Sequence, residues 1–68
     1  MTTADIRIQE KVRSYLKIRH RTVEELAKEV GKKPSTIYYR ISHPGKMHVE
    51  DLRRIYDILD VPKEDRCW

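Results

Sequence analysis

Apolar residues recur at helical spacing in four separate segments of the chain. The first segment carries Ile8, Val12, Tyr15 and Leu16. These positions follow i, i+4, i+7 and i+8, which places one apolar face along an α-helix. We expect Met1 to Ala4 to be frayed and Asp5 to cap the helix. Ile18 falls off the apolar face and a basic run follows, so the first helix is predicted over residues 5–19.

The second segment begins with a capping box. Thr22 is followed three residues later by Glu25, an arrangement in which hydroxyl and carboxylate satisfy free backbone donors reciprocally. The apolar face carries Val23, Leu26, Ala27 and Val30. Gly31 is a natural left-handed stop after them. A short helix is therefore predicted over residues 22–30.

A three-residue turn and a third short helix follow directly. Pro34 stands where a helix can begin without losing a needed backbone donor. Ile37 and Ile41 give this helix an apolar face. It ends in the sequence Ser42 to Gly45, where Pro-Gly favours a type II turn. The third helix is therefore predicted over residues 34–42.

The fourth segment also has one apolar face. It carries Val49, Leu52, Ile55, Tyr56 and Leu59. It stops before Pro62, so a helix is predicted over residues 49–60, and residues 63–68 are expected to form one further turn. The sequence shows no apolar alternation and no hairpin signal that would predict a strand. We predict an all-α fold of four to five helices in a single domain over residues 1–68.

The third helix has an unusual outer face. At about 100° per residue, the side opposite Ile37 and Ile41 can be assigned from the sequence. It carries Ser35, Tyr39, Ser42 and His43, with Thr36 and Tyr38 at the margins. Two adjacent tyrosines cannot both point inward, so at least one is exposed. An exposed ring either contacts bases or a partner, or lies over the domain surface.

Positive charge is segregated along the chain. Its 68 residues carry a net charge of +4 and a pI near 9.4. Residues 11–23 and 30–49 contain no acid, whereas residues 50–68 hold six acids against four bases. If the clusters are more than a solvated surface, an acid-free helix rich in hydroxyls suits a groove lined by phosphates. The acid-rich residues 50–68 would then be free to face another subunit.

The small size of the chain limits its core, so dense helix packing, a disulfide, a metal or a second subunit is commonly needed. Cys67 cannot form a disulfide within the chain and is expected to be an inert thiol. No signal-like run and no apolar stretch of about 20 residues is present, so we expect a cytoplasmic protein without a membrane span. Trp68 either is disordered or anchors onto the core or a second subunit.

Catalytic and metal-binding patterns are missing from the sequence. The two glycines stand fourteen residues apart, so no phosphate-cradling loop exists. His43 and His48 lie on either side of a proline turn with Cys67 distant, which matches no zinc spacing. No serine has a recognisable histidine and carboxylate partner. We therefore expect no enzyme, no cofactor, no metal site and no small-molecule ligand.

The predicted turn and third helix belong to a longer pattern that covers roughly residues 8–65. Its first part is Leu26-Ala27-x-x-Val30-Gly31-x-x-x-Ser35-Thr36-Ile37-Tyr38-x-Arg40-Ile41. Its second part is Pro44-Gly45-Lys46-Met47, followed by Leu52-x-x-Ile55-x-x-x-Leu59-x-Val61-Pro62. The pattern resembles the helix-turn-helix of the small Cro and lambda-repressor-like (Xre-type) DNA-binding domains of bacterial and phage regulators.

The resemblance implies a transcriptional regulator, and we expect a repressor. Such a protein binds double-stranded DNA as a homodimer on a roughly palindromic operator, with the third helix in the major groove. The expected base contacts are Ser35, Thr36, Tyr38, Tyr39 and Ser42. The expected phosphate contacts are Lys32, Lys33, Arg40, Lys46 and Thr22. The chain has no asparagine and its only glutamine is Gln9, so the third helix lacks the bidentate amide that usually recognises adenine.

Two positions depart from the family pattern, which usually has apolar residues where Lys32 and Arg40 stand. Either both side chains bury their stems and keep their charge at the rim, or the turn differs locally and shifts the groove-facing residues by one position. The alternative function is a protein-interaction or antitoxin-like module with the same helical fold. That module would expose an apolar patch, whereas the outer face of the third helix carries no aliphatic residue, so the sequence favours DNA.

Overall fold

The computed structural model describes residues 2–68, which fold into four α-helices and two short 3-10 turns. The helices are α1 (Thr3–Ile18), α2 (Val23–Val30), α3 (Pro34–Ser42) and α4 (Val49–Ile58). The 3-10 turns are Pro44–Lys46 and Lys63–Asp65. Over residues 2–68 no strand forms, so the all-α prediction is confirmed.

Helix α1 begins two residues earlier than predicted. Thr2 is its cap, because the Thr2 hydroxyl accepts a hydrogen bond from the backbone N–H of Asp5 at 3.1 Å. Asp5 therefore lies in the first turn, where its negative charge interacts favourably with the helix dipole. The prediction that Asp5 caps the helix was wrong. Thr3 and Ala4 belong to the helix, so the expected fraying there is also wrong, and Met1 lies outside the described residues.

The end of α1 is joined to the end of α4 through one arginine. Arg19 caps α1 and donates from Nε to the carbonyl of Leu59 and from Nη2 to the carbonyl of Asp60, both at 3.0 Å. These carbonyls follow the last turn of α4 and have no partner within the helix. A cation at this position also complements the helix dipole. The Arg19 side chain therefore stabilises the packing of α1 against the end of α4 and is not part of a free basic surface.

Helix α2 has the predicted start and stop. The Thr22 hydroxyl accepts from the Glu25 N–H at 3.2 Å, while the Glu25 carboxylate accepts from the Thr22 N–H at 3.1 Å. At the other end Gly31 has φ 79°, in the left-handed region, and its N–H donates to the carbonyl of Ala27. The N–H of Lys32 donates to the same carbonyl at 2.9 Å, and the N–H of Gly31 also donates to the carbonyl of Lys28 at 3.3 Å, so the helix ends in a Schellman motif.

Helix α3 spans the predicted residues, but the turn after it is different. Successive backbone bonds run from the Lys46 N–H to the His43 carbonyl and from the Met47 N–H to the Pro44 carbonyl. These bonds form a 3-10 turn, and among the described glycines only Gly31 has a positive φ. The predicted type II turn at Pro44-Gly45 is wrong, because that turn needs a positive φ at its glycine.

One core joins all four helices. Its buried members are Ile8, Val12, Leu16, Leu26, Ala27, Val30, Ile37, Ile41, Leu52, Ile55, Tyr56, Leu59 and Val61. Tyr15 and Val23 are partly buried against this core. Val49 is 61% exposed, so its prediction as a core residue was wrong. It lies at the very start of α4, and Met47 before it packs against the core instead.

The last residues fold back on α1 and α4. The Tyr56 hydroxyl donates to the carbonyl of Cys67 at 2.6 Å, and the Tyr15 hydroxyl donates to Asp65 at 2.8 Å. The Trp68 ring packs edge-on against Tyr56 with 5.4 Å between centroids. Trp68 is therefore an anchor onto the core of its own chain. The hydrogen bond to Asp65 raises the pKa of Tyr15, and burial raises the pKa of Tyr56.

Candidate nucleic-acid interface

The turn between α2 and α3 fixes the direction in which α3 projects. Gly31 ends α2 in the left-handed conformation, and Pro34 begins α3 after two further residues. Ile37 and Ile41 of α3 are 1% and 3% exposed, so they hold the inner side of the helix on the core. The predicted register of α3 is therefore the observed one, and the alternative of a shift by one position is not needed.

The outer side of α3 carries the residues that were predicted to contact bases. Ser35, Tyr38 and Tyr39 are exposed, and the two tyrosines are 51% and 52% exposed. Thr36 and Ser42 are half-buried. We call the line formed by Ser35, Tyr39 and Ser42 the α3 ridge, because it runs opposite the buried isoleucines. No acidic residue lies on it.

The two adjacent tyrosines have different surroundings. The Tyr38 hydroxyl donates to the carboxylate of Glu24, near the start of α2, at 3.3 Å. The negative charge of Glu24 raises the pKa of Tyr38 above its usual value. Tyr38 is therefore directed along the flank of α3 toward α2. Tyr39 is the aromatic ring of the ridge itself.

The Tyr39 ring is covered on one face by a histidine that was not among the predicted contacts. His43, four residues on, stacks against it with 4.5 Å between ring centroids and 25° between planes. Its Nδ1 lies 3.1 Å from the backbone carbonyl oxygen of Tyr39. The sequence contained a signal for this pair, since residues at i and i+4 share a helix face and both stand opposite the apolar side.

Arg40 lies on the other flank of α3 and has a partner within the chain. Its Nη1 is 2.8 Å from Oδ2 of Asp51 in the first turn of α4. The two side chains are only 23% and 16% exposed, so the pair is partly shielded from water. Of the two alternatives for Arg40, a buried stem is the observed one, but the charge is held by α4. This pair orients α3 relative to α4.

The remaining predicted phosphate contacts lie at both ends of α3. Lys32 and Lys33 precede the helix and Lys46 follows it, and all three are exposed. Among residues 2–68 none of these three forms an ion pair. Thr22 is also exposed, but its hydroxyl both donates to the Glu25 carboxylate and accepts from the Glu25 N–H in the capping box. The lysines are therefore free for an anion in a way that Thr22 is not.

The first acid-free stretch is less available than its charge suggests. Arg21 pairs with Glu29 and lies 3.6 Å from Glu25, which ties the loop before α2 to that helix. Arg19 holds the end of α4. Two of the five Lys and Arg residues between positions 11 and 23 are thus structural, and the other three form no ion pair within residues 2–68.

In the described part of the chain, no three His, Cys, Asp or Glu side chains come close enough together to hold a metal ion. None of the helices between residues 2 and 68 combines the length and the apolar character needed to cross a membrane.

Comparison with protein-family models, curated proteins and solved structures gives no match for this chain. The likeness to Cro and lambda-repressor-like domains thus stays a prediction from the helix-turn-helix residues. Support for a function of this chain comes from the geometry around α3.

Proposed function

We propose that this chain is a small cytoplasmic transcriptional regulator, a repressor, that binds double-stranded DNA sequence-specifically with α3 in the major groove. One observation carries the proposal. The α3 ridge projects hydroxyls and a stacked aromatic ring with no acid on it, while Glu24 and Asp51 are each engaged by a residue on one flank of the same helix. The major groove, about 12 Å wide, admits an α-helix presented in this way.

The lysines suit the phosphates that border the groove. A helix lying in the major groove has a phosphate backbone near each of its ends, and cations there fix its position without recognising sequence. Lys32 and Lys33 stand at the start of α3 and Lys46 stands in the turn after it. Because Arg40 is held by Asp51, we propose these three lysines as the phosphate contacts and assign Arg40 to the positioning of α3.

A dimer follows from the small size of the chain. A single module of this kind buries about 600 to 1,000 Å² on DNA, which gives limited affinity. The Cα positions extend over 28 × 23 × 19 Å. Two such bodies side by side are compatible with half-sites about 34 Å apart, one turn of the duplex. We therefore propose that two copies bind a roughly palindromic operator.

A gel-shift titration over a range of salt concentrations tests the proposal. The probes are a random duplex and the DNA upstream of the gene for this chain. Three phosphate contacts give a slope of log affinity against log salt of about −2.7 per subunit, and about −5.4 for a dimer. Lys33→Ala and Lys46→Ala are expected to weaken binding to both probes and to reduce the slope by about one each. Binding that does not change with salt would contradict DNA as the ligand.

A protein-interaction module is the second candidate, and one observation favours it. Val49 is 61% exposed at the start of α4, and Tyr38 and Tyr39 are half exposed on α3. Asp51, two residues after Val49, contacts Arg40 of α3, so these side chains belong to neighbouring surfaces. If the gel shift fails, a protein partner that covers Val49 and the two tyrosines becomes the better proposal.

A further inference from the structure

The contact between His43 and the Tyr39 backbone bears on which of its two ring nitrogens carries the hydrogen. A carbonyl oxygen only accepts hydrogen bonds, so this contact favours the tautomer in which the His43 nitrogen 3.1 Å from it carries the hydrogen. That nitrogen is Nδ1. In the uncharged ring the second nitrogen, Nε2, is then a lone-pair acceptor.

The stack with Tyr39 fixes the plane of the same ring. Its centroid stays 4.5 Å from the Tyr39 centroid, with the two planes only 25° apart. The backbone contact and the stack restrain the ring together, since one sets its position and the other sets its tilt. His43 itself is exposed, so Nε2 is available to a ligand outside the chain. An acceptor in a defined direction is what recognition of a base edge requires.

Resting on the proposed function, we infer that His43 is a specificity-determining residue whose Nε2 accepts a hydrogen bond from an exocyclic amino group in the major groove. Two base edges offer such a donor, N6 of adenine and N4 of cytosine. Guanine and thymine offer acceptors at the corresponding positions. His43 thus selects adenine or cytosine and disfavours the other two bases.

Few other side chains on the outer side of α3 can discriminate between base edges. Amides usually recognise adenine, but the chain has no asparagine and its only glutamine, Gln9, lies in α1. The hydroxyls of Ser35, Tyr39 and Ser42 each donate and accept, so on their own they discriminate poorly between base edges. Glu24 and Asp51 are already engaged by Tyr38 and Arg40. His43 is the fixed acceptor that the outer side of α3 otherwise lacks.

Binding-site selection from a random duplex library tests the inference with three proteins. These are the wild type, His43→Ala, and His48→Ala as the matched control, since His48 is also exposed but stands after the turn, at the start of α4. We expect one adenine or cytosine position in the wild-type motif to lose its information in His43→Ala. His48→Ala is expected to keep it. Circular dichroism should show that both variants keep the helical fold, because both side chains are exposed.

A base analogue then tests the hydrogen bond directly. At the selected position adenine is replaced by purine, or cytosine by 2-pyrimidinone, each of which lacks only the amino group. The wild type should bind the modified operator about fivefold to tenfold more weakly, the range of one hydrogen bond to a base. His43→Ala should bind the modified and unmodified operators equally. His48→Ala should show the same loss on the modified operator as the wild type, because His43 is unchanged in it.

The possible outcomes separate the inference from the function on which it rests. A wild type that selects no motif would overturn the proposed function and the inference with it. A wild-type motif that His43→Ala retains at every position would overturn the inference alone. A loss of guanine or thymine preference in His43→Ala would also overturn it, because Nε2 would then not be the acceptor.

Discussion

Single side chains hold α3 from both of its flanks, and each does so through an acid on a neighbouring helix. Tyr38 donates to Glu24 of α2, and Arg40 pairs with Asp51 of α4. Both acids would repel phosphate if they were free. Both contacts position the helix, and the Arg40 guanidinium also neutralises the charge of Asp51.

The pair between Arg40 and Asp51 should behave as a positioning contact. Asp51→Ala leaves a shielded guanidinium without its partner, so we expect a loss of about 1 to 3 kcal/mol of unfolding free energy. Specific DNA binding should weaken in Arg40→Ala and in Asp51→Ala alike, while the salt slope stays the same. The measurements are urea unfolding and gel shift at several salt concentrations.

A phosphate contact through Arg40 would give the opposite pattern. Arg40→Ala would then reduce the salt slope by about one, and Asp51→Ala would strengthen binding by removing a negative charge. The exchange Arg40→Asp with Asp51→Arg serves as the control. It restores the ion pair in reverse, so a positioning role predicts partial recovery and a phosphate role predicts none.

Three tyrosines make the stability of the fold sensitive to alkaline pH. The pKa values of Tyr15, Tyr38 and Tyr56 all lie above the ordinary 10.0 in the folded chain. A raised pKa means that folding favours the protonated phenol, so this stabilisation is present below pH 10 and is lost as pH rises through the raised values. Urea unfolding over a pH series up to about 12 should show that fall. Tyr15→Phe removes the hydrogen bond to Asp65, so the unfolding free energy of this variant should fall less steeply with pH. An unfolding free energy that does not change with alkaline pH would contradict the raised pKa values.

At the scale of elements, helix ends with a local chemical signal were predictable. The capping box at Thr22, the left-handed stop at Gly31 and the proline start at Pro34 each depend on neighbouring residues, and each is observed. Other features depend on contacts far along the chain, such as the exposure of Val49 and the pairing of Arg40 with Asp51. Periodicity assigns a residue to a face but does not tell where the neighbouring helix ends.

In the candidate site too, some features were predictable from the sequence and others were not. The α3 ridge followed from the helical repeat, since only the angle around the axis is needed to find it. His43 was placed on that side but not among the contacts, because its role depends on a stack and a backbone bond that the sequence does not display. The α1 start was missed because Thr2 and Asp5 are both good capping residues and only the structure decides between them.

The turn between α2 and α3 can be tested with two glycines that differ in backbone conformation. Gly31 has φ +79° and no atom within 4 Å of an added Cβ, so Gly31→Ala costs backbone strain alone, about 1 to 2 kcal/mol. Gly45→Ala is the matched control, because its Cβ would lie 3.5 Å from Asp5 Oδ2, an ordinary contact. We expect Gly31→Ala to lower the thermal unfolding midpoint clearly and Gly45→Ala to change it little. Equal midpoints for the two variants would contradict a left-handed Gly31.

At the scale of the whole molecule, the C-terminal segment packs against its own chain. The C-terminal segment is held on its own body through Tyr15, Tyr56 and an arginine, Arg66, whose Nε donates to the Val61 carbonyl at 2.9 Å. The three lysines at the ends of α3 lie outside this segment. Residues 50–68 therefore stabilise the fold of the single chain.

Binding-site selection on the wild type and Tyr39→Ala, side by side, tests the central claim most directly. We predict a roughly palindromic wild-type motif with half-sites about one duplex turn apart. Tyr39→Ala removes the ring of the α3 ridge and should lose about 1 to 3 kcal/mol on that site, with lost preference at one or two positions in each half-site. No enriched motif for the wild type, or the same motif with equal information at every position for both proteins, would contradict recognition of DNA by α3.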